Sequence, residues 1–367
     1  MGKNKKAIHL IAAARPNFMK IAPLYHALRK KNWAEPEIIH TGQHYDLNMS
    51  DDFFNDLNLP EPHIHLGIGS GTHAEQTGRV MIAYEKVLLN KRPDLTIVVG
   101  DVNSTLAATL AATKLGVKVA HLEAGLRAYD RSMPEEINRV VTDSLADILW
   151  TPSSDADENL KKEGISPDKI QRVGNIMIDS IEMLRPRIEK EPEWQKLKMK
   201  CNSYGLVTLH RPSNVDAADK LKTLCKALIQ IAEKAPLVFP AHPRTMKNLK
   251  KFKLLNLIKS SPHILLISPL SYIPFMNLVF NCRFVITDSG GIQEETTYLG
   301  IPCLTVRPHT ERPITITQGT NTLTKPEDLN KQVEAILNKK REKCKIKLWD
   351  GKTAKRITGT LFSLLYK

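Results

Sequence analysis

Carboxylates that directly follow short apolar runs are the residues of this 367-residue chain with the most evident capacity for chemistry. Asp101 closes the run LTIVVG at 95–100, and Glu123 stands in HLEAGLR after the next such run. Two carboxylates at adjacent strand ends suit general acid–base work if both face one cleft. Each also has a plain structural reading: Asp101 as the cap of the following helix, Glu123 as the ion-pair partner of Arg127. Glu135 and Glu136 follow Pro134, where a helix start favours acids for dipole reasons alone. His210 and Arg211 end VTLHR, a place where an imidazole serves as acid–base or phosphate contact, and His242 with Arg244 repeats the idea in PAHPRT. Arg15 and Lys20 in AAARPNFMK are placed to meet an anion, although such residues often sit idle on a turn.

A second pattern points to phosphate. In TDSGGIQEE (287–295), a β-rich run ends in Ser289-Gly290-Gly291 and continues into Glu294 and Glu295. Glycines at a strand-to-helix junction let backbone N–H groups approach an anion at the positive end of a helix. A carboxylate one turn further in could accept from a sugar hydroxyl. Ordinary capping by Ser and Gly remains the alternative.

The elements that must position these groups are legible as alternating short apolar runs and helical repeats. Candidate strands are 7–13, 37–41, 95–100, 118–124, 148–152 and 170–174 in the first half, then 205–210, 237–242, 264–269, 284–289 and 303–308 in the second. Between them lie stretches such as 19–31 and 75–88 with apolar residues at three- and four-residue intervals. This is the signature of βαβ units around buried parallel sheets. The alternation restarts after the charged stretch RPRIEKEPEWQKLKMK (185–200). Two doubly wound α/β domains are therefore expected, Rossmann-like over 1–180 and again over 181–350, with an amphipathic helix in 351–367 that could pack back on the first. Ligands in such folds sit beyond the carboxyl ends of strands. Arg15, His44, Asp101, Glu123, His210, His242 and Ser289 all follow apolar runs there.

Composition narrows the class. No apolar run approaches the ~20 residues of a membrane span, and Arg15 comes too soon for a secretory leader, so a cytoplasmic protein without membrane contact is expected. Five scattered cysteines without a C-x-x-C pair suggest neither disulfides nor zinc, and His63-Ile-His65 alone makes no metal site. The net charge of +14 favours an anionic partner, but much of it sits in MGKNKK, KNLKKFK and KKREKCKIK, with no nucleic-acid module, so no nucleic-acid partner is expected. The missing G-x-G-x-x-G argues against a nicotinamide or flavin.

Taken in order, ARPNFMKIAPL, TGQHYD, GDVNSTLAA, HLEAGLR, PEEINR, TLHRPSNV, YIPF and TDSGGIQEETTYLGIPCLTVRPHTERP resemble the non-hydrolysing UDP-N-acetylglucosamine 2-epimerases over nearly the whole chain. The resemblance implies a GT-B-like pair of Rossmann domains facing a cleft that holds the active site, usually in a homodimer, with no cofactor and no metal. It implies a UDP-sugar substrate whose C2 is inverted by elimination of UDP to 2-acetamidoglucal and its return, serving surface polysaccharide synthesis. By the family pattern Asp101, Glu123 and Glu135 are catalytic carboxylates, and His210 is catalytic near the diphosphate. Arg15, Lys20, Ser289, Gly290, Gly291 and Arg312 hold the nucleotide, Glu295 contacts the ribose and Phe275 lies beside the uracil. The usual Gly-Thr-Arg-Pro-Glu reads Ala13-Ala14-Arg15-Pro16-Asn17, Leu270 replaces a frequent Gln, and the segment between HLEAGLR and PEE is short. These departures leave open a modified UDP-sugar, and a hydrolysing epimerase or a GT-B glycosyltransferase stays as a further alternative. Some members carry an activating second site at positions like Gln43, Glu136, Arg211 and His242, from which Asp46 and GIGSGTHAEQ (67–76) depart.

Overall fold

Val, Ile and Leu dominate the runs LTIVV, ILWT and FVIT, and all their residues are buried, as strands covered on both faces must be. The protein is described by a computed structural model covering residues 5–42, 54, 56–341 and 344–366. Two all-parallel sheets result. The first contains β1 (Lys6–Ala12), β2 (Ala34–His40), β3 (Ile64–His65), β4 (Leu95–Val99), β5 (Val119–Leu122), β6 (Ile148–Thr151) and β7 (Ile170–Arg172), in the order β3-β2-β1-β4-β5-β6-β7. The second contains β8 (Gly205–Thr208), β9 (Leu237–Pro240), β10 (Ile264–Ile267), β11 (Phe284–Thr287), β12 (Cys303–Thr305) and β13 (Asn321–Leu323), in the order β10-β9-β8-β11-β12-β13. Strands β3 and β13, of two and three residues, are absent from the sequence reading because Ile-His and Asn-Thr-Leu form no apolar run.

Contacts divide the chain into one compact unit of residues 1–184 with 347–367 and another of residues 185–346. The division falls inside the helix Ile176–Lys190. In the first unit the C-terminal helix Thr353–Leu365 starts on Asp179, whose carboxylate accepts from the amides of Thr353 at 3.0 Å and Ala354 at 2.8 Å. Nearby, the Trp349 indole donates to the Pro152 carbonyl at 3.0 Å, and Phe362 packs edge-on against Trp33.

In both sheets the strand order reverses, between β1 and β4 and between β8 and β11, which is where doubly wound folds open their ligand crevices. The register pairs Val99 with Leu122, so Gly100 and Glu123 leave the first sheet side by side. In the second, Thr208 pairs with Thr287, so the segments leading to His210 and Ser289 leave together.

Candidate active site

In the first unit three turns meet at the central crevice. The turn after β1 is tied down by Asn17, whose carbonyl oxygen accepts from the amides of Ala13 and Ala14 and whose NH2 donates to the Val99 carbonyl at 3.1 Å. One turn along the helix Arg15–Arg29, Lys20 pairs with Glu123. Both side chains are nearly inaccessible, so the ion pair is poorly screened by water. Gly100 lies beside them at φ +69°, and a Cβ there would stand 3.3 Å from the Lys20 ammonium, 3.7 Å from the Asn17 amide and 3.8 Å from the Glu123 carboxylate.

Glu123 has two further marks of a working residue. Its backbone sits at φ +74°, a left-handed conformation that costs a non-glycine residue about 1–3 kcal/mol. Its Oε1 is buried without a hydrogen-bond partner among the described residues, while Oε2 takes Lys20. Its plain reading as a partner of Arg127 fails, because Arg127 pairs with Asp143 and Glu163.

Asp101 is no cap either. The helix Asn103–Lys114 begins at Val102 without a side-chain cap, and the Asp101 carboxylate pairs with Arg139, staying about one-third exposed. Arg139 also binds Glu136, which accepts from the amides of Ala128 and Tyr129 and braces the loop after Glu123. Glu136 is thus occupied structurally, whereas Glu135 is exposed on the first turn of Pro134–Leu145. Arg15, the first residue of its helix, is half-buried. His44, Gln43 and Asp46 lie outside the described residues.

The second unit gathers groups suited to an anion. Helix Gly290–Leu299 has Ser289 at its N-cap with no side-chain cap bond and no acid in its first turn, so its amide end is uncompensated. A Cβ on Gly291 would meet nothing within 4 Å, which leaves the backbone approachable, while one on Gly290 would press on the Arg312 guanidinium at 2.9 Å. Arg312 is held by Glu294 at 2.8 Å and by Glu311 at 3.6 Å. Burial works to raise the Glu311 pKa, but Arg312 and Arg307 outweigh it and hold the carboxyl far below its usual range.

Asp288 organises the other side. Wholly buried, it accepts from the amides of His210 and Arg211 and from the Asn214 NH2, and lies 3.1 Å from His210 Nδ1. Burial opposes its ionisation, yet His210 and Asn214 keep its pKa below the ordinary value. The His210 ring is thereby oriented with Nε2 away from the carboxylate, 5.5 Å between centroids from His242. His242 is biased to the neutral form by burial and by the neighbouring His210 and Arg244.

Glu295 is buried on the same helix and accepts from the Tyr272 hydroxyl at 2.8 Å. Burial, with Glu294 nearby, pushes its pKa up to about 7 against the hydrogen bond from Tyr272. Phe275, one turn beyond Tyr272 on the helix Tyr272–Asn281, is half-buried. Arg139, Asp288 and Asn214 escaped the sequence reading, and Asn17 entered it only as a departure from the family pattern. For Asp288 a signal was present, since it stands between a buried strand and the Ser-Gly-Gly turn. Among the described residues no three His, Cys, Asp or Glu side chains cluster as a metal site would require, and no helix is long and apolar enough to cross a membrane.

The family model described as UDP-N-acetylglucosamine 2-epimerase matches residues 26–362. A Methanocaldococcus jannaschii protein named UDP-N-acetylglucosamine 2-epimerase is 44% identical over 364 residues, 96% of this chain and 98% of that one. A Pseudomonas aeruginosa protein named UDP-2,3-diacetamido-2,3-dideoxy-D-glucuronate 2-epimerase is 40% identical over 316 residues, covering 85% and 86%. The crystal structure of the M. jannaschii UDP-GlcNAc 2-epimerase in complex with UDP-GlcNAc and UDP superposes with a TM-score of 0.87 at 44% identity, over 97% of this chain and 99% of that one. The two doubly wound units are those of a GT-B-like α/β protein.

Proposed function

The chain belongs to the UDP-N-acetylglucosamine 2-epimerase family, and from that premise we propose that it inverts C2 of UDP-N-acetylglucosamine without hydrolysis, giving UDP-N-acetylmannosamine for a surface polysaccharide. The hydrogen on C2 is not acidic, because no carbonyl adjoins that carbon. Cleavage of the C1–O bond to UDP puts positive character on C1 and makes the proton removable. In an anti elimination the C2–H electrons form the C1=C2 bond, UDP leaves with the C1–O pair, and a carboxylate takes the proton. The intermediate is 2-acetamidoglucal. Proton delivery to C2 from the other face, with attack of the diphosphate oxygen on C1, completes the inversion.

Asp101, Glu123 and Glu135 are the acid–base carboxylates in this reading. The leaving diphosphate needs cations and amide dipoles, which His210, Arg312, Arg15, Lys20 and the Ser289-Gly290-Gly291 turn supply. Glu295 receives the ribose hydroxyls and Phe275 lies against the uracil. The observation that carries the proposal is Glu123, a buried carboxylate in a strained turn with one oxygen committed to Lys20 and the other open to a proton.

The test is NMR of the purified protein with UDP-N-acetylglucosamine in D2O. Deuterium should enter C2 of both epimers, and turnover without it would overturn the elimination. Asp101→Asn and Glu123→Gln should each lower turnover roughly 10²-fold or more while leaving UDP affinity nearly unchanged. Near-normal turnover in either variant removes that residue from the catalytic set. A second reading, epimerisation of a modified UDP-N-acetylated sugar, is supported by the P. aeruginosa relative and by Asn17 and Leu270. A higher kcat/KM on UDP-2,3-diacetamido sugars in the same assay would establish it, and stoichiometric free N-acetylmannosamine would instead mark hydrolysis.

A further inference from the structure

Behind the two acid turns of the first unit lies a buried polar cluster that no step above uses. Asp143, on the helix Pro134–Leu145, takes the Nδ1–H of His121 on Oδ1 at 2.6 Å. Its Oδ2 takes the Gly125 amide at 3.0 Å and the Arg127 guanidinium at 2.7 Å. His121, wholly buried on β5, turns its other nitrogen to the Gly100 carbonyl, with Nε2 at 2.9 Å. A carbonyl only accepts. Asp143 also accepts, since His121 and Arg127 hold it ionised although burial works the other way. Between these two acceptors the ring spans from the residue before Asp101 to the carboxylate that clamps the turn after Glu123.

Core filling does not account for this choice. The residues flanking His121 on β5, Val119, Ala120 and Leu122, are apolar and buried, and an apolar side chain would avoid desolvating an imidazole beside a buried carboxylate. A left-handed glutamate, moreover, persists only where its surroundings over-determine it. Gly125, at φ +81°, is pinned there from two sides: its amide by Asp143 and its carbonyl by the Asn159 NH2 at 2.9 Å.

We infer that His121 and Asp143 form a positioning pair that fixes the Gly100–Asp101 turn against the Glu123–Gly125 turn, holding the two carboxylates at the separation that proton exchange on opposite faces of C2 requires. This rests on the acid–base reading of Asp101 and Glu123.

The experiment is steady-state kinetics, C2 deuterium exchange, UDP titration and thermal unfolding of the full-length enzyme carrying His121→Gln or Asp143→Asn. Because a misplacement near 1 Å costs up to about 10²-fold, kcat and C2 exchange should fall together by roughly 10- to 100-fold, with KM and UDP affinity within about twofold. Leu88→Ala, a buried position on the helix His73–Asn90 outside the cluster, should lower the melting temperature while keeping kcat. A kcat within about twofold of the parent, or a fall no greater than in Leu88→Ala, overturns the inference. Should His121→Gln not fold, the isosteric Asp143→Asn decides by the same criterion. Inactive Asp101→Asn and Glu123→Gln beside unimpaired His121→Gln would remove only the positioning role, whereas active acid variants would remove the catalytic reading itself.

Discussion

At the scale of single residues, the two units place carboxylates in opposite electrostatic settings. Glu123 is buried beside Lys20, while Glu295 is buried beside Glu294 with only a tyrosine hydroxyl to compensate it. A carboxyl whose folded pKa stands near 7, above an ordinary 4.5, binds its proton more tightly folded than unfolded. The contribution of Glu295 to stability should therefore be greatest below pH 4.5 and decline as pH rises to about 7, by on the order of 3 kcal/mol, then level off. Ribose hydroxyls donating to Glu295 would favour its charged form, so nucleotide binding should release a proton. UDP-sugar affinity should accordingly rise by up to about tenfold between pH 6 and pH 8, and Glu295→Gln should flatten that rise in an isothermal titration series. An equally steep profile in the variant would take Glu295 out of the binding set.

At the scale of elements, the helix Gly290–Leu299 carries the proposed diphosphate contact. Its first turn carries neither a capping side chain nor an acid, so the amide end is left for a ligand. Gly291 tests this directly, since a methyl group there meets no protein atom within 4 Å. Gly291→Ala should leave the melting temperature unchanged or slightly higher, because alanine is the better helix former, yet weaken UDP binding at least about tenfold. Unchanged UDP affinity would place the diphosphate elsewhere. Asp288 makes the companion arrangement, joining the end of β11 to the turn after β8 through His210, Arg211 and Asn214.

At the scale of the whole molecule, the second unit repeats the strand order of the first up to its sixth strand, each around its own crevice, and residues 347–367 complete the first unit rather than the second. Trp349 is almost wholly buried there, so Trp349→Ala should cost about 3 kcal/mol in thermal or urea unfolding, with UDP affinity retained. Loss of UDP binding at a temperature where the variant is folded would contradict that independence. What the sequence by itself determined was the run of buried strands and the residues at their carboxyl ends, because short continuous apolar runs and turn glycines are local signals that survive without knowledge of the partner strand. Strands β3 and β13 escaped, having no apolar run of their own. Only the tertiary structure decided the pairings: Lys20 with Glu123 across 103 positions, Asp101 with Arg139, His210 with Asp288, and His121 between Gly100 and Asp143. Side-chain partners depend on strand order and crossover paths, which bring distant turns to one crevice, and no local spacing encodes which charge will stand opposite which.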